Sequence, residues 1–99
     1  MKILFERSGG FAGMTRTTSI DTDNLPAYQI QQLSPLLEAA NFFNLPSSIN
    51  SQSPQNDRFW YTLTVEDNGK SHTVTASEAA LPGTLRPLID WIQASKANG

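Results

Sequence analysis

The chain contains no cysteine, and this absence excludes two kinds of structure at once. Without thiols, neither a disulfide framework nor a thiolate metal site can form. The single histidine, His72, leaves no ligand spacing that is typical of a zinc site. A small fold without disulfides is typical of a reducing compartment, and we therefore expect a cytoplasmic protein without metal or cofactor.

Long hydrophobic runs and an excess of positive charge are also missing. Residues 1–7 lack the apolar run and the cleavage site of a signal peptide, and no window is long enough to cross a bilayer. Seven Lys and Arg against nine Asp and Glu give a formal charge of −2, and the cations are scattered singly. This composition disfavours binding to nucleic acid and to an anionic membrane surface.

The sequence does contain enough hydrophobic residues to form the core of one domain, over residues 1–99. Hydrophobic residues make up 38% of the chain, including two Trp, two Tyr and five Phe. Alternating apolar positions predict four strands, over 2–7, 14–20, 58–66 and 71–76. Helical spacing predicts two helices, over 25–44 and 84–94. The order ββαββα predicts an α+β fold, a four-stranded antiparallel sheet with two helices packed on one face.

Three local signals refine this fold. Pro35 falls inside the first helical pattern, which predicts a kink or a restart with Ser34 as a new N-cap. Asn68-Gly69 predicts a type I′ hairpin turn between the last two strands. Residues 47–57, rich in Ser, Gln and Asn, are predicted to form a loop.

A glycine-rich stretch, residues 7–16 (Arg-Ser-Gly-Gly-Phe-Ala-Gly-Met-Thr-Arg), connects the first two strands. Gly9, Gly10 and Gly13 suit a sharply folded hairpin connection, because glycine adopts positive φ without steric cost. Phe11 lies at its centre, where it is either presented to a partner or folded back over the end of the core. A phosphate-binding loop is disfavoured, since a strand and not a helix follows the glycines.

Candidate catalytic residues have better structural explanations. His72 lies in the middle of a predicted strand with no nucleophile signature nearby, and we interpret it as a cross-strand partner. Asp21 and Asp23 read better as helix caps than as a paired acid and base. Trp60 is on the second face of its strand, either covered by a loop or exposed for a partner. The sequence therefore indicates a binding module and not an enzyme.

Residues 3–13, Ile-Leu-Phe-Glu-Arg-Ser-Gly-Gly-Phe-Ala-Gly, resemble the signature of the emfourin family. The resemblance continues through 33–43, 45–46 and 81–88, so that it spans nearly the whole chain. It implies a bacterial protein inhibitor of thermolysin-like (M4), protealysin-like zinc metallopeptidases, often encoded beside its target. It also implies a 1:1 complex with the peptidase and a monomer when free.

Such peptidases have a cleft between two domains with zinc at its floor, and the resemblance implies that the glycine-rich loop enters it. The implied protease-binding residues are Arg7, Ser8, Gly9, Gly10, Phe11, Ala12, Gly13 and Met14. Occlusion of the cleft is favoured over zinc chelation, with Phe11 directed to a hydrophobic pocket. A specific interface buries about 800 Å² per partner, so neighbouring segments must contribute. These are the N-terminal strand, which lies beside the loop, and segments 47–57 or 67–70 if they lie at the same end of the sheet. A non-inhibitory adaptor or chaperone, or less readily a small-ligand carrier, remains an alternative.

Overall fold

The computed structural model describes residues 1–9, 14–49 and 59–97. These residues form five strands, two α-helices and three short 3-10 turns. The strands are β1 (Lys2–Gly9), β2 (Met14–Asp21), β3 (Ser48–Ile49), β4 (Phe59–Asp67) and β5 (Lys70–Ser77). The helices are α1 (Ala27–Ala40) and α2 (Arg86–Ala97), and the 3-10 turns are Thr22–Asn24, Phe42–Asn44 and Glu78–Ala80.

The strands form one sheet in the order β2-β1-β4-β5-β3. All neighbours are antiparallel except β3, which pairs parallel to β5. The α+β class is therefore confirmed, but the prediction of a four-stranded sheet is wrong. Strand β3 has two residues inside the predicted loop, too few to show a periodic pattern. The Thr75 N–H donates to the Ser47 carbonyl at 2.9 Å and helps to hold this strand against β5.

One face of the sheet carries the core, and both helices supply buried residues to it. Alternation explains this face, because Ile3 and Phe5 of β1 are buried while Leu4 between them is 46% exposed. The other large and fully buried apolar side chains are Phe42, Leu63, Val65, Val74, Leu33, Leu85, Leu88 and Ile92. The half-buried Trp91 of α2 links the helices at the edge of the core, where its Nε1–H donates to Gln32 Oε1 at 3.1 Å.

Helix α1 is continuous through Pro35, so the predicted restart at Ser34 is wrong. The Ser34 hydroxyl donates to the Ile30 carbonyl at 3.3 Å, a bond within the helix and not an N-cap. Asn41, with φ 51°, ends the helix in the left-handed conformation. Packing of Leu33 and Ala40 against the core stabilises the segment on both sides of the proline.

Of the predicted turn and the predicted helix caps, the structure confirms the turn. Asn68 and Gly69 have φ of 51° and 80°, which confirms the type I′ turn between β4 and β5. The acidic residues before α1 do not cap it, since its N-cap is Pro26. Instead Asp21 Oδ1 accepts from the Asp23 N–H at 3.0 Å and caps the first 3-10 turn. Over the described ranges, no helix is both long and apolar enough to cross a membrane.

Candidate functional site

The end of the β1–β2 hairpin is the part of the predicted site that the structure describes. The two strands pair along their full length, and the last pair of the ladder is Gly9 with Met14. Gly9 has φ 107°, a conformation that other residues adopt only with strain. Arg7, Ser8 and Gly9 are described completely and Met14 by its backbone, whereas Gly10, Phe11, Ala12 and Gly13 lie outside the described residues.

Strand β1 is held on both sides, which fixes one arm of this hairpin. Gly9 is aligned with Met14 on one side and with Phe59 of β4 on the other. Ser8 is aligned in the same way with Thr15 and Trp60. The position at which the chain leaves the sheet after β1 is therefore set by two ladders rather than by one.

Arg7 and Arg16 lie side by side on the core face of the sheet, beyond the apolar residues. They are aligned across β1 and β2, and the Arg7 guanidinium carbon lies 4.4 Å from the centroid of the Phe59 ring. This distance is that of a cation–π contact, which restricts the Arg7 side chain. A groove of about 290 Å³ opens beside the pair. Its lining residues are Phe5, Arg7, Arg16, Thr18 and Gln93. We call it the arginine groove.

Tyr61 of β4 lies next to Arg7 in the sheet and packs on the core side. Its ring stacks on Phe5 with centroids 5.8 Å apart, and its hydroxyl donates to Glu78 Oε2 at 3.3 Å. Burial and then the charge and hydrogen bond of Glu78 raise the pKa of Tyr61, against the opposing effect of Arg7. Tyr61 is therefore a protonated hydrogen-bond donor at neutral pH. Its contacts with Phe5 and Glu78 stabilise this end of the sheet.

Trp60 occupies the opposite face of the sheet at the same end. It is half-buried, aligned with Ser8 on one side and with the buried Ser77 on the other. Half-burial does not decide between the two readings considered from sequence, coverage by a loop and exposure to a partner. The predicted covering loop, residues 47–57, is described only as far as Ile49, and Arg58 also lies outside the described residues.

His72 has structural contacts, as the sequence predicted. Its Nε2 lies 2.7 Å from the Leu45 carbonyl oxygen, and because a carbonyl can only accept, Nε2 carries the proton. The imidazole also meets the Phe42 ring edge-on at 5.5 Å. His72 is aligned with Val65, whose other neighbour is Ile3, so it lies well away from the hairpin end.

The two segments proposed from sequence to assist the hairpin have different positions. The 67–70 turn follows Glu66, which is aligned with Lys2, and so lies at the opposite end of the sheet. The condition on which 67–70 was expected to contribute, a position at the same end of the sheet as the hairpin loop, is therefore not met. Ile49 and Phe59, which flank residues 50–58, both lie towards the hairpin end. Among the described side chains, no group of three or more His, Asp or Glu could hold a metal ion.

Sequence reasoning did not single out Arg16 and Phe59 as parts of this site. Arg16 ends the glycine-rich stretch, but its position opposite Arg7 depends on the strand register. That register depends on the number of residues in the connection, which the alternation pattern alone does not fix. The distance between Arg7 and Phe59 depends in turn on a pairing between strands that are 50 residues apart.

Comparison with known proteins gives one match. A family model described as Emfourin matches residues 5–93, which is most of the chain and includes the end of the hairpin. No curated protein and no solved structure matches the chain significantly. The expectation drawn from residues 3–13 and the later segments is confirmed at the level of the family.

Proposed function

The chain belongs to the emfourin family, and on this basis we propose that it inhibits thermolysin-like (M4), protealysin-like zinc metallopeptidases. Emfourin is a family of protease inhibitors, which agrees with a protein that acts by binding and not as an enzyme. The observation that carries the proposal is the family match over residues 5–93. The target class and the manner of inhibition are our own inference.

In the proposed mechanism, the hairpin end enters the cleft of the peptidase and excludes substrate. The supporting geometry is the closure of the β1–β2 ladder at Gly9 and Met14, which pins both ends of the connecting loop. A loop with pinned ends resists the extended conformation that a peptidase requires of its substrate, so it can bind with little cleavage. Glycine in the loop permits close approach of backbone to the enzyme.

The loop alone is too small for a stable interface, which needs about 800 Å² and roughly 20–30 residues on each side. The described residues aligned with the end of β1 include one arginine and two aromatic residues, Arg16, Phe59 and Trp60. Aromatic and arginine side chains are the types most often found as binding hot spots. We propose that these three residues extend the contact made by the predicted site residues 7–14.

The proposed complex has one inhibitor for each peptidase, because one hairpin fills one cleft. The free inhibitor is proposed to be a monomer in the cytoplasm of bacteria, as expected from the sequence. Inhibition needs no cofactor and no ligand to the catalytic zinc, since occlusion of the cleft is sufficient.

The experiment is a titration of a purified thermolysin-like peptidase with the wild-type chain, Phe11→Ala and Tyr28→Ala. Tyr28 is a matched control, an aromatic residue that is 60% exposed on α1, outside the proposed interface. We expect stoichiometric inhibition by the wild type and Tyr28→Ala, and weaker inhibition by Phe11→Ala.

Two other outcomes would contradict parts of the proposal. Equal inhibition by all three proteins would remove Phe11 from the interface while the inhibitor function stands. Binding of the wild type without loss of peptidase activity would instead indicate an adaptor. Absence of both binding and inhibition, across several such peptidases, would refute the proposed target class.

A further inference from the structure

The alignment of Arg7 with Arg16 is unfavourable for the free protein. Arg7 and Arg16 are directly opposite each other on antiparallel strands, and like charges on residues aligned in this way are destabilising. Among the residues that the structure describes, no carboxylate forms an ion pair with either guanidinium. The two aligned arginines, which line the same groove, form a local positive site on a chain whose formal charge is −2.

The arginine groove gives this charge a defined shape. Phe5 forms an apolar wall, while Thr18 and Gln93 add a hydroxyl and an amide beside the two guanidinium groups. Thr18 is only 8% exposed, so its position is fixed by the sheet. Arg7 is half-buried and packed on Phe59, whereas Arg16 is exposed. The groove thus combines one packed and one solvent-exposed donor group.

We propose that the arginine groove binds the carboxylate of an Asp or Glu side chain on the surface of the metallopeptidase. This inference rests on the proposed function and adds a second contact to the hairpin loop. A guanidinium donates two parallel hydrogen bonds to a carboxylate, and two guanidinium groups can share its two oxygens. A volume of about 290 Å³ suits one acidic side chain and is at the lower limit for a small-molecule ligand.

The position of the groove favours a protein carboxylate over one on a free small molecule. Arg7 is two residues before Gly9, and Arg16 is two residues after Met14, so the groove begins two residue pairs from the end of the hairpin. A partner that contacts the hairpin end therefore passes the arginine pair at close range. A carboxylate of this partner would offset the repulsion between the two cations, so the electrostatic repulsion that destabilises the free inhibitor would be reduced in the complex.

The test compares Arg16→Gln with Lys70→Gln, which also removes one positive charge. Lys70 is exposed and lies beside the turn at the opposite end of the sheet, outside the proposed interface. Association and dissociation rates with the peptidase are measured for both variants at several salt concentrations. We expect Arg16→Gln to weaken inhibition by about three- to tenfold and to reduce the salt dependence of the association rate. Lys70→Gln should leave both quantities close to those of the wild type.

A second pair of measurements separates binding from folding. Because Arg16→Gln removes a like-charge repulsion, its unfolding midpoint in urea should equal or exceed that of the wild type. Arg7→Lys retains the charge but loses the planar guanidinium that can donate two hydrogen bonds to one carboxylate. This variant should also weaken inhibition. A variant that binds less well but folds at least as well identifies a binding residue and not a structural one.

The results also distinguish failure of this inference from failure of the proposed function. If the wild type inhibits and Arg16→Gln inhibits equally well with the same salt dependence, the inference is wrong and the inhibitor function stands. If weaker inhibition by Arg16→Gln is matched by Lys70→Gln, the effect is one of net charge, and the inference is again wrong. If the wild type does not inhibit, the proposed function fails and the inference fails with it.

Discussion

Three Gly-to-Ala substitutions can separate the role of the hairpin end in binding from its role in folding. Gly9 and Gly69 have φ of 107° and 80°, both in the region that residues with a Cβ rarely adopt. They lie at opposite ends of the sheet, Gly9 beside the proposed interface and Gly69 in the β4–β5 turn. Gly83 lies outside that region of φ, and a Cβ added there would meet no atom within 4 Å.

The expected stability changes follow from these conformations. Alanine at positive φ costs about 1–2 kcal/mol, so Gly9→Ala and Gly69→Ala should lower the free energy of unfolding by similar amounts. At Gly69 the whole loss of stability should come from backbone strain, because an added Cβ would meet no atom within 4 Å. For a domain of this size, each kcal/mol lowers the Tm by about 4–8 °C. Gly83→Ala should be neutral, or stabilising by about 0.4–1 kcal/mol through the unfolded state.

The affinities of the same three variants for the peptidase should not follow their stabilities. In a titration of the peptidase at a temperature where every variant is folded, Gly9→Ala should relax the backbone at the hairpin end in the free protein. Restoring the wild-type conformation in the complex would then cost up to about 1.4 kcal/mol, which is a loss of about tenfold in affinity. Gly69→Ala, equally destabilised, should inhibit like the wild type and like Gly83→Ala. Equal inhibition by Gly9→Ala and Gly69→Ala would refute the assignment of the hairpin end as the binding site.

Two further predictions concern stability. Pro35 is exposed in the interior of α1, so Pro35→Ala should restore a hydrogen bond to the Gln31 carbonyl and raise the free energy of unfolding by about 1–3 kcal/mol. Pro87→Ala, in the first turn of α2, is the control and should have little effect; equal effects in urea unfolding would contradict the argument. Because the pKa of Tyr61 is raised in the folded state, stability should be retained below pH 10 and fall above it as the unfolded chain releases its proton first. Tyr61→Phe should lack this decline in unfolding measured against pH, and an identical decline would contradict the Tyr61 assignment.

The parts of the fold that sequence predicts well are those with a local physical signal. Phe59 to Val65 alternates over seven residues, and the buried side chains Tyr61, Leu63 and Val65 occupy one face as expected. Asn68-Gly69 defines its turn because few other residue pairs adopt two positive φ values at low cost. In each case the information lies within a few neighbouring residues.

The parts that sequence does not predict depend on distant contacts. Strand β3 exists because β5 offers an edge beside Ser48 and Ile49, and two residues have no period of their own. Pro35 was expected to interrupt its helix, but burial of Leu33 and Ala40 outweighs the loss of one backbone donor. The arginine groove is likewise a result of register, since neither Arg7 nor Arg16 is unusual by itself.

The two arms of the hairpin differ in how firmly the sheet holds them, and this difference bears on how such an inhibitor works. Strand β1 lies between β2 and β4, whereas among the described strands β2 pairs only with β1. A partner that presses on the loop therefore meets a fixed arm at Gly9 and a more adjustable arm carrying Arg16. In the proposed complex, the fixed arm would set the geometry presented to the cleft, and an exposed charge outside the centre of an interface mainly changes the rate of association. Substitutions in β1 should consequently act on dissociation, and substitutions of Arg16 on association.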